Sequence, residues 1–254
     1  MSFEETKRQV AIANRILSEV GLATGVLASL GHASLRVPES PENFIVKGRG
    51  YALDALARMQ PADMIVCDLE GYKVEGPPGS TQCFEVKLHS CIYKTHPEVQ
   101  SIVHVHPRFV VVMSVLQAAL QPMCQEGAQL VSKPLPVYPH VKTVVTDEEG
   151  MEVAALLGDS KAIILEGHGA ATTGRSLEES VMNMLQLEEQ AKMNWYAYCA
   201  AGADHRSIPL ERVAEMSGRT PMPELPHFKD SMVGSQPRTG GVWALYSDIV
   251  SRDL

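Results

Sequence analysis

Cysteines at the spacing of a metal-binding or redox motif are missing from this sequence. The five cysteines are odd in number and scattered, and no two of them form a Cys-x-x-Cys pair. We therefore expect neither a disulfide framework nor a cysteine zinc site. Scattered free thiols are typical of the reducing cytosol, so we predict a cytoplasmic protein.

Positive charge is also scarce, because 22 Lys and Arg stand against 30 Asp and Glu and give a formal net charge of -8. This balance disfavours nucleic acid and anionic membranes as partners, although a local cluster of Arg and Lys can still bind a small anionic substrate. No apolar run reaches the length of a membrane-spanning helix. Residues 1–21 interleave charged and apolar residues, unlike a signal peptide. We expect no nucleic-acid partner and no membrane partner.

Several catalytic and nucleotide-binding motifs are missing as well. The sequence has no Walker loop, no His-Glu-x-x-His and no Gly-x-Ser-x-Gly, and residues 48–54, "GRGYALD", lack the third glycine of a dinucleotide fingerprint. A nucleotide cofactor is therefore not indicated. A Ser-His-Asp triad or a Cys-His pair assembled in space stays open at this stage, because such groups leave no local pattern.

Helix-like and strand-like segments alternate along the chain. Apolar spacing predicts helices over residues 4–20, 53–59, 82–95, 108–120, 147–157 and 176–201, and strands over 33–37, 43–47, 63–71, 101–107 and 161–167. The longest of these helices begins after Ser176, which is followed three residues later by Glu179, the pattern of a capping box. The interleaving favours a single α/β domain over residues 1–205, with a central sheet flanked by helices.

The C-terminal segment has a different composition. Residues 206–254 are rich in Pro, Gly and charge, with one short helix expected near Glu211–Met216. We predict a C-terminal extension that packs at a subunit interface, and a disordered tail is the alternative.

Two histidines stand two residues apart in the apolar run "SIVHVHP", residues 101–107. On a strand, His104 and His106 point the same way, while the valines between them face the core. Two converging imidazoles suit a metal at about 2.0 to 2.1 Å from each nitrogen, and zinc, iron, manganese and cobalt all accept imidazole. The alternative is a pair of structural histidines that form hydrogen bonds at a strand end.

Two further residues could complete such a site. His168 lies in "LEGHGAATTG", where a buried strand ends in a glycine-rich loop that allows close backbone approach. Glu85 lies on the helix that leads into the His104 strand, and its carboxylate could be a fourth ligand or a general acid/base. Taken singly, His168 could be an ordinary turn residue, and Glu85 could merely stabilise a helix start.

The order "EVKLHSCIYKTHPEVQSIVHVHP", followed by "LEGHGAATTG" and a long helix, resembles the class II aldolase/adducin family. The resemblance spans roughly residues 5–200. It implies a three-layer α/β/α fold with a central, mostly antiparallel sheet, commonly assembled as a homotetramer with sites between subunits. It also implies that His104, His106 and His168 bind one divalent metal, manganese, zinc, cobalt or iron, and that Glu85 is the catalytic acid/base. Adducin-like members are scaffolding proteins without the metal histidines, which this chain keeps.

The sequence departs from the sugar-phosphate aldolases of that family where these hold a phosphate. It has "GHAS" at 31–34, "VKGRG" at 46–50 and "CFE" at 83–85, which resemble the branch that decarboxylates hydroxylated aromatic or pyridine carboxylates, such as dihydroxyphthalate or hydroxymethylpyridine-dicarboxylate. Cationic and donor groups suit carboxylates, and a phenylalanine suits a flat ring. The predicted substrate-binding residues are His32, Ser34, Arg36, Lys47, Arg49 and Phe84.

We therefore predict a metal-dependent lyase of aromatic catabolism that decarboxylates a hydroxylated aromatic or heteroaromatic carboxylate. The first alternative is a class II aldolase or epimerase that acts on a non-phosphorylated hydroxy-keto substrate with the same metal and the same Glu85. The second is a catalytically silent, adducin-like interaction protein.

Overall fold

The structure, a computed structural model, describes residues 3–229 and 241–254. Its centre is a nine-stranded sheet. The strands are β1 (His32–Val37), β2 (Ser40–Arg49), β3 (Met64–Asp68), β4 (Lys73–Glu75), β5 (Thr81–Gln82), β6 (Ser101–Val105), β7 (Val137–Tyr138), β8 (Ala162–Leu165) and β9 (Gly169–Gly174). Their order is β4-β3-β2-β1-β6-β9-β8-β7, with β5 paired to β2. Only the β7–β8 pair is parallel among the described strands.

Helices cover both faces of the sheet. They are α1 (Phe3–Glu19), α2 (Val86–Thr95), α3 (Arg108–Val115), α4 (Asp147–Leu157), α5 (Leu177–Ala201), α6 (Leu210–Ser217) and α7 (Val242–Val250). One core cluster joins α1, α3, α5 and α7 to one face of the sheet, and a second joins α2 and α4 to the other face. The predicted fold, a mostly antiparallel sheet between helical layers, is confirmed.

The side chains of β6 alternate between these two cores. Val103 and Val105 are buried in the cluster with α1 and α5, and Ile102 is buried in the cluster with α2. Because side chains alternate along a strand, His104 shares the α2 face with Ile102. The predicted direction of the two histidines relative to the valines is therefore correct, and β6 presents them on the side where α2 begins.

Several predicted element bounds differ from the structure. Residues 169–174, expected to be a loop, form β9, because their small side chains fit between β6 and β8. Helix α3 ends at Val115 rather than at residue 120, and Gln117 has a left-handed φ of 52°. The expected helix over residues 53–59 is one 3₁₀ turn at Leu56–Arg58. Helix α2 begins at Val86, so Glu85 caps it instead of lying within it.

The C-terminal extension is partly described. Helix α6 lies where a short helix was predicted, whereas α7 was not foreseen, and residues 230–240 lie outside the described part. Helix α7 packs on α1 of its own chain, where the Arg15 guanidinium donates to the carbonyl of Val250 at 2.9 Å. Packing of residues 206–254 against another subunit stays a prediction. Among the described helices, none combines the length and apolarity that crossing a bilayer requires.

Candidate metal centre

Three imidazoles meet where β6 ends and the chain turns from β8 into β9. His104 is fully buried on β6, and His106 follows one residue beyond the end of the strand. His168 lies in the β8–β9 turn, between Gly167, whose φ is 66°, and Gly169. The ring centroids are 5.2 Å apart for His104 and His106, 5.2 Å for His104 and His168, and 4.7 Å for His106 and His168.

Gly169 allows this convergence. A Cβ at this position would lie 2.5 Å from the carbonyl oxygen of Val105, 3.1 Å from Cδ2 of His106 and 3.3 Å from Cε1 of His104. Real Cβ atoms do not approach other heavy atoms within 3.0 Å. Only glycine therefore fits beside β6 without moving the strand or the two imidazoles.

Glu85 supplies a carboxylate to the same place. Its Oε2 lies 3.0 Å from Nε2 of His104, and its Oε1 lies 3.5 Å from Nε2 of His168. The backbone N–H of Val144 donates to Oε1 at 3.3 Å. Burial raises the pKa of Glu85, but protons on the imidazoles of His104, His32 and His168, with a hydrogen bond from His104, outweigh burial and hold that pKa below its ordinary value. Glu85 is therefore ionised at neutral pH.

The hydrogen bonds on the far side of two rings define their tautomers. Nδ1 of His104 lies 3.0 Å from the carbonyl oxygen of Ala170, and Nδ1 of His168 lies 3.2 Å from the carbonyl oxygen of Lys142. A carbonyl only accepts, so each Nδ1 carries a proton, and each Nε2 turns a lone pair toward Glu85 when its ring is neutral, as a metal ligand must be. This arrangement, a ligand ring held by a backbone carbonyl, is common around protein-bound metals.

The donor set fits a divalent metal. Nε2 of His104 is buried without a hydrogen-bond partner among the described residues. It lies 3.0 Å from a carboxylate oxygen, and two lone pairs at that distance repel each other unless a cation or a proton lies between them. Burial, with its histidine neighbours, lowers the pKa of His106 to about 3 and also lowers the pKa of His168, so both rings stay neutral as metal ligands must be. Donor atoms of Glu85 and the three histidines all lie within 4.8 Å of one another.

A second group of possible ligands lies behind the first. His32, Cys83 and His89 also bring donor atoms within 4.8 Å of one another. However, Nδ1 of His32 and Nε2 of His89 are 2.6 Å apart, a hydrogen-bond distance, whereas two nitrogens on one tetrahedral zinc stand roughly 3.3 Å apart. Burial also raises the pKa of the Cys83 thiol well above its ordinary value. These residues form a hydrogen-bonded pair beside a neutral thiol.

The structure places the predicted substrate-binding residues at different depths. His32 is at the site, with Nε2 3.8 Å from Oε2 of Glu85. Ser34 is fully buried, and its hydroxyl is engaged by Nδ1 of His89 at 2.7 Å and by the Tyr93 hydroxyl at 2.8 Å. Its hydroxyl is therefore part of an internal hydrogen-bond network, and contact of Ser34 with substrate stays a prediction.

Arg36 is a structural residue as well. Its guanidinium donates to the carbonyl oxygens of Pro41 at 2.7 Å, Tyr93 at 2.7 Å and Val99 at 3.3 Å, and it stacks over the Tyr93 ring at 4.7 Å. These bonds tie β1 to β2, to α2 and to the loop before β6, and a role of Arg36 in substrate binding stays a prediction.

Lys47, Arg49 and Phe84 form a cationic and aromatic surface next to Glu85. Asp54 joins the two cations, with Oδ1 2.7 Å from Nζ of Lys47 and Oδ2 3.2 Å from Nε of Arg49. The Arg49 guanidinium lies 4.4 Å over the ring of Phe84, which is 64% exposed. Lys47 is buried against Asp54, so Arg49 and Phe84 are the members that face outward.

Sequence reasoning missed Asp54 and Tyr93, and it indicated for His89 a structural role or one in support of the ligands. Asp54 lies in a loop without a recognisable motif. Its partners, Lys47 and Arg49, lie on β2, and only the folded loop brings Asp54 back to them. A usable signal existed for the other two: Glu85, His89 and Tyr93 recur every four residues, and such positions share one face of a helix.

Comparison with known proteins gives consistent results. The profile described as "Class II Aldolase and Adducin N-terminal domain" matches residues 8–195. A 3,4-dihydroxyphthalate decarboxylase from a Terrabacter species is 31% identical over 83% of this chain and 88% of the relative. A protein of the same name from Arthrobacter keyseri is 28% identical over 83% of this chain and 85% of the relative. The structure of an L-fuculose 1-phosphate aldolase from Glaciozyma antarctica superposes with a TM-score of 0.75 at 23% identity, covering 98% of this chain and 89% of that one; at that identity it shows the shared fold.

Proposed function

The chain belongs to the class II aldolase and adducin family, in its decarboxylase branch, and on that premise we propose that it is a divalent-metal-dependent carboxy-lyase. In this proposal the substrate is a hydroxylated aromatic or heteroaromatic carboxylate that resembles dihydroxyphthalate. Compounds of this class would be intermediates in the catabolism of aromatic molecules. The observation that carries the proposal is the convergence of two Nε2 lone pairs, from His104 and His168, on the ionised Glu85. A divalent cation held between these groups would account for the arrangement.

The metal, which would be manganese, zinc, cobalt or iron, would be held by His104, His106 and His168. When bound, such an ion supplies a Lewis acid beside the oxygen on which negative charge develops as the carbon–carbon bond breaks. Glu85 does not need to be a fourth ligand. Its two oxygens face the imidazoles from the N-terminal end of α2, where they can reach a proton on the substrate.

Glu85 is the proton carrier in this mechanism. Its lowered pKa makes it a carboxylate in the resting enzyme, and its position beside the imidazoles lets it accept the proton of a ring hydroxyl. Glu85 then delivers that proton to the neighbouring ring carbon, the one that bears the carboxylate. The ring becomes a ketone with the carboxylate β to its carbonyl. Breaking the carbon–carbon bond releases carbon dioxide, the bonding electron pair moves toward the carbonyl oxygen, the ring becomes aromatic again, and the oxygen regains a proton from water.

Arg49 and Phe84 bind and orient the substrate. The Nε of Arg49 is committed to Asp54, which leaves the outer edge of the guanidinium for a carboxylate, a pairing that its planar geometry suits. The exposed face of Phe84 offers a flat apolar surface for the ring. With Lys47 neutralised by Asp54, the surface carries about one net positive charge. That charge matches one carboxylate better than a doubly charged phosphate.

We further propose that neighbouring subunits of a homotetramer cover the site. Val115 and Val141 are 61% and 71% exposed, and both lie near Gly167 in the turn that carries His168. Exposed apolar residues beside a site are typical of a protein interface. The C-terminal extension, residues 206–254, is the other segment that we expect at such an interface.

The test is a substrate panel with two separate readouts. Metal-loaded enzyme is incubated with ortho-hydroxylated aromatic diacids and with hydroxy-keto sugars, and carbon dioxide and aldehyde are measured independently. We expect carbon dioxide from a diacid. Aldehyde without carbon dioxide would overturn the proposal in favour of an aldolase, and failure of the protein to bind any divalent metal would favour an adducin-like role.

A further inference from the structure

A chain of buried hydrogen bonds runs from the interior of the protein to the catalytic carboxylate. It begins at Tyr93 on α2, passes through Ser34 on β1 to His89 on α2, and ends at His32 on β1. We propose that His89 is a positioning residue: with Ser34 and Tyr93 it fixes His32 as a hydrogen-bond donor that faces the substrate beside Glu85. The catalytic consequence rests on the proposed function, whereas the tautomer of His32 does not.

Every link of the chain is short. The Tyr93 hydroxyl lies 2.8 Å from Oγ of Ser34, and that Oγ lies 2.7 Å from Nδ1 of His89. Nε2 of His89 lies 2.6 Å from Nδ1 of His32. Nε2 of His32, at the outer end, lies 3.8 Å from Oε2 of Glu85. Tyr93, Ser34 and His89 are at most 1% exposed, so water does not compete for these bonds.

The four groups have one proton each to share along the chain. His89 is fully buried, and its two ring nitrogens are hydrogen-bonded to Ser34 and His32 rather than to a carboxylate, so its ring is neutral with a single N–H, as its lowered pKa also indicates. At 2.6 Å, one of Nε2 of His89 and Nδ1 of His32 must donate and the other must accept. Burial raises the pKa of the Tyr93 phenol, which keeps its proton. The chain can then run in only two ways: every donor points outward toward His32, or every donor points inward toward Tyr93.

Two observations select the outward direction. If the donors pointed inward, Nε2 of His32 would turn a lone pair toward Oε2 of Glu85 at 3.8 Å, and the two would repel each other, because His32 is not among the donors that could share a cation with that carboxylate. The inward chain would also leave the Tyr93 proton to the more distant carbonyl of Gln100, at 3.3 Å, instead of Ser34 at 2.8 Å. In the outward chain Tyr93 donates to Ser34, Ser34 to His89, and His89 to Nδ1 of His32.

The outward chain makes His32 a neutral donor at Nε2. At 3.8 Å that N–H is too far from Glu85 for a direct hydrogen bond, so it is free to bind an oxygen that enters between them. Hydrogen bonds in a chain polarise one another, which strengthens the last donor. An N–H in this position selects an anionic oxygen, either the carboxylate of the substrate or the oxyanion that forms as carbon dioxide leaves.

Three variants separate positioning from packing. In His89→Gln, the amide keeps the outward chain, because its oxygen can accept from Ser34 and its N–H can donate to His32. His89→Leu keeps a comparable volume and removes both bonds. Tyr93→Phe removes only the first donor, and Tyr138→Phe is its matched control, since Tyr138 is a buried tyrosine of the same core cluster that lies outside the chain.

The first readout is the ¹⁵N spectrum of the histidine rings in zinc-loaded protein, which reports tautomers without any substrate. We expect His32 to be protonated at Nε2 in wild type and in His89→Gln, and to be a mixture of tautomers in His89→Leu. His32 protonated at Nδ1 in wild type would overturn the proposal. If the Nε2 tautomer is found in a protein that releases no carbon dioxide, the positioning chain stands and the proposed reaction is wrong.

The second readout is steady-state kinetics on the diacid that gives carbon dioxide. In His89→Leu we expect kcat to fall on the order of 10- to 100-fold, as for other residues that orient a catalytic group, with KM and zinc content changed less than threefold. His89→Gln should restore most of kcat. Tyr93→Phe should lower kcat more than Tyr138→Phe does. Equal kcat in His89→Leu and wild type, or equal loss in the two tyrosine variants, would refute the role of the chain.

Discussion

Replacing Gly169 by alanine should damage the metal centre without removing any ligand. The added methyl group would lie 2.5 Å from the carbonyl oxygen of Val105, and real Cβ contacts do not fall below 3.0 Å. The backbone of β9 or of β6 must therefore move by at least the difference, 0.5 Å. The methyl group also lies 3.1 Å from Cδ2 of His106 and 3.3 Å from Cε1 of His104, so the same movement displaces two ligands.

The expected magnitude follows from that displacement. A misplacement of about 1 Å at a catalytic group costs on the order of 100-fold in rate, so a shift of about half that size should cost on the order of 10-fold. We expect a similar loss in metal affinity, which corresponds to about 1.4 kcal/mol. Overpacking of a well-filled region should also lower the free energy of unfolding of the metal-free protein by about 1 to 3 kcal/mol.

Zinc titration by calorimetry, with thermal unfolding in the presence of a chelator, measures the two effects separately. Gly218→Ala is the control, because a Cβ at that position would lie at an ordinary contact distance of 3.5 Å from the Ala214 carbonyl oxygen. Wild-type zinc affinity in Gly169→Ala would refute the reasoning, because it would show that β6 and β9 can separate without disturbing the imidazoles.

Three further outcomes test other parts of the structure. Glu85→Gln should keep stoichiometric metal and lose on the order of 100-fold or more in kcat; loss of the metal instead would make Glu85 a ligand. Arg36→Met should lower the free energy of unfolding by about 3 kcal/mol, because two buried carbonyls and one part-buried carbonyl lose a charged donor, and a large rise in KM with unchanged stability would instead support the predicted substrate role of Arg36. The folded pKa of His89 is about 3 against an ordinary value of 6.5, so the unfolded state binds the extra proton first as pH falls. Stability of the metal-free protein, measured by urea unfolding, should therefore decrease below pH 6.5 with a slope of up to about 1.4 kcal/mol per pH unit from this residue, and His89→Gln should flatten the profile; an unchanged profile would show that His89 is not buried neutral.

The metal centre was accessible to sequence reasoning because its residues carry local signals. His104 and His106 alternate on an apolar strand, and His168 stands between two glycines at a strand end. The substrate surface was harder to predict. Arg36 and Arg49 both lie at positions that suit a binding role, and only their partners distinguish them: three backbone carbonyls for Arg36, and Asp54 with Phe84 for Arg49.

Strand β9 shows a second limit of sequence reasoning. Its sequence, "GAATTG", has weak strand propensity and favours a loop. The structure places it in the middle of the sheet between β6 and β8, where small side chains allow close packing and backbone pairing decides the conformation. Such pairing is a tertiary property, so a single sequence does not display it.

The two halves of the site come from different parts of the sheet. The candidate metal ligands lie on β6, just beyond its end and on the turn between β8 and β9, whereas the predicted substrate-binding residues His32, Lys47 and Arg49 lie on β1 and β2. A chain built in this way can exchange the residues that choose a substrate while the residues that hold the ion stay in place. For an engineer, β1, β2 and the residues just before α2 are the segments to randomise when a new carboxylate is wanted, with β6 and the β8–β9 turn left unaltered.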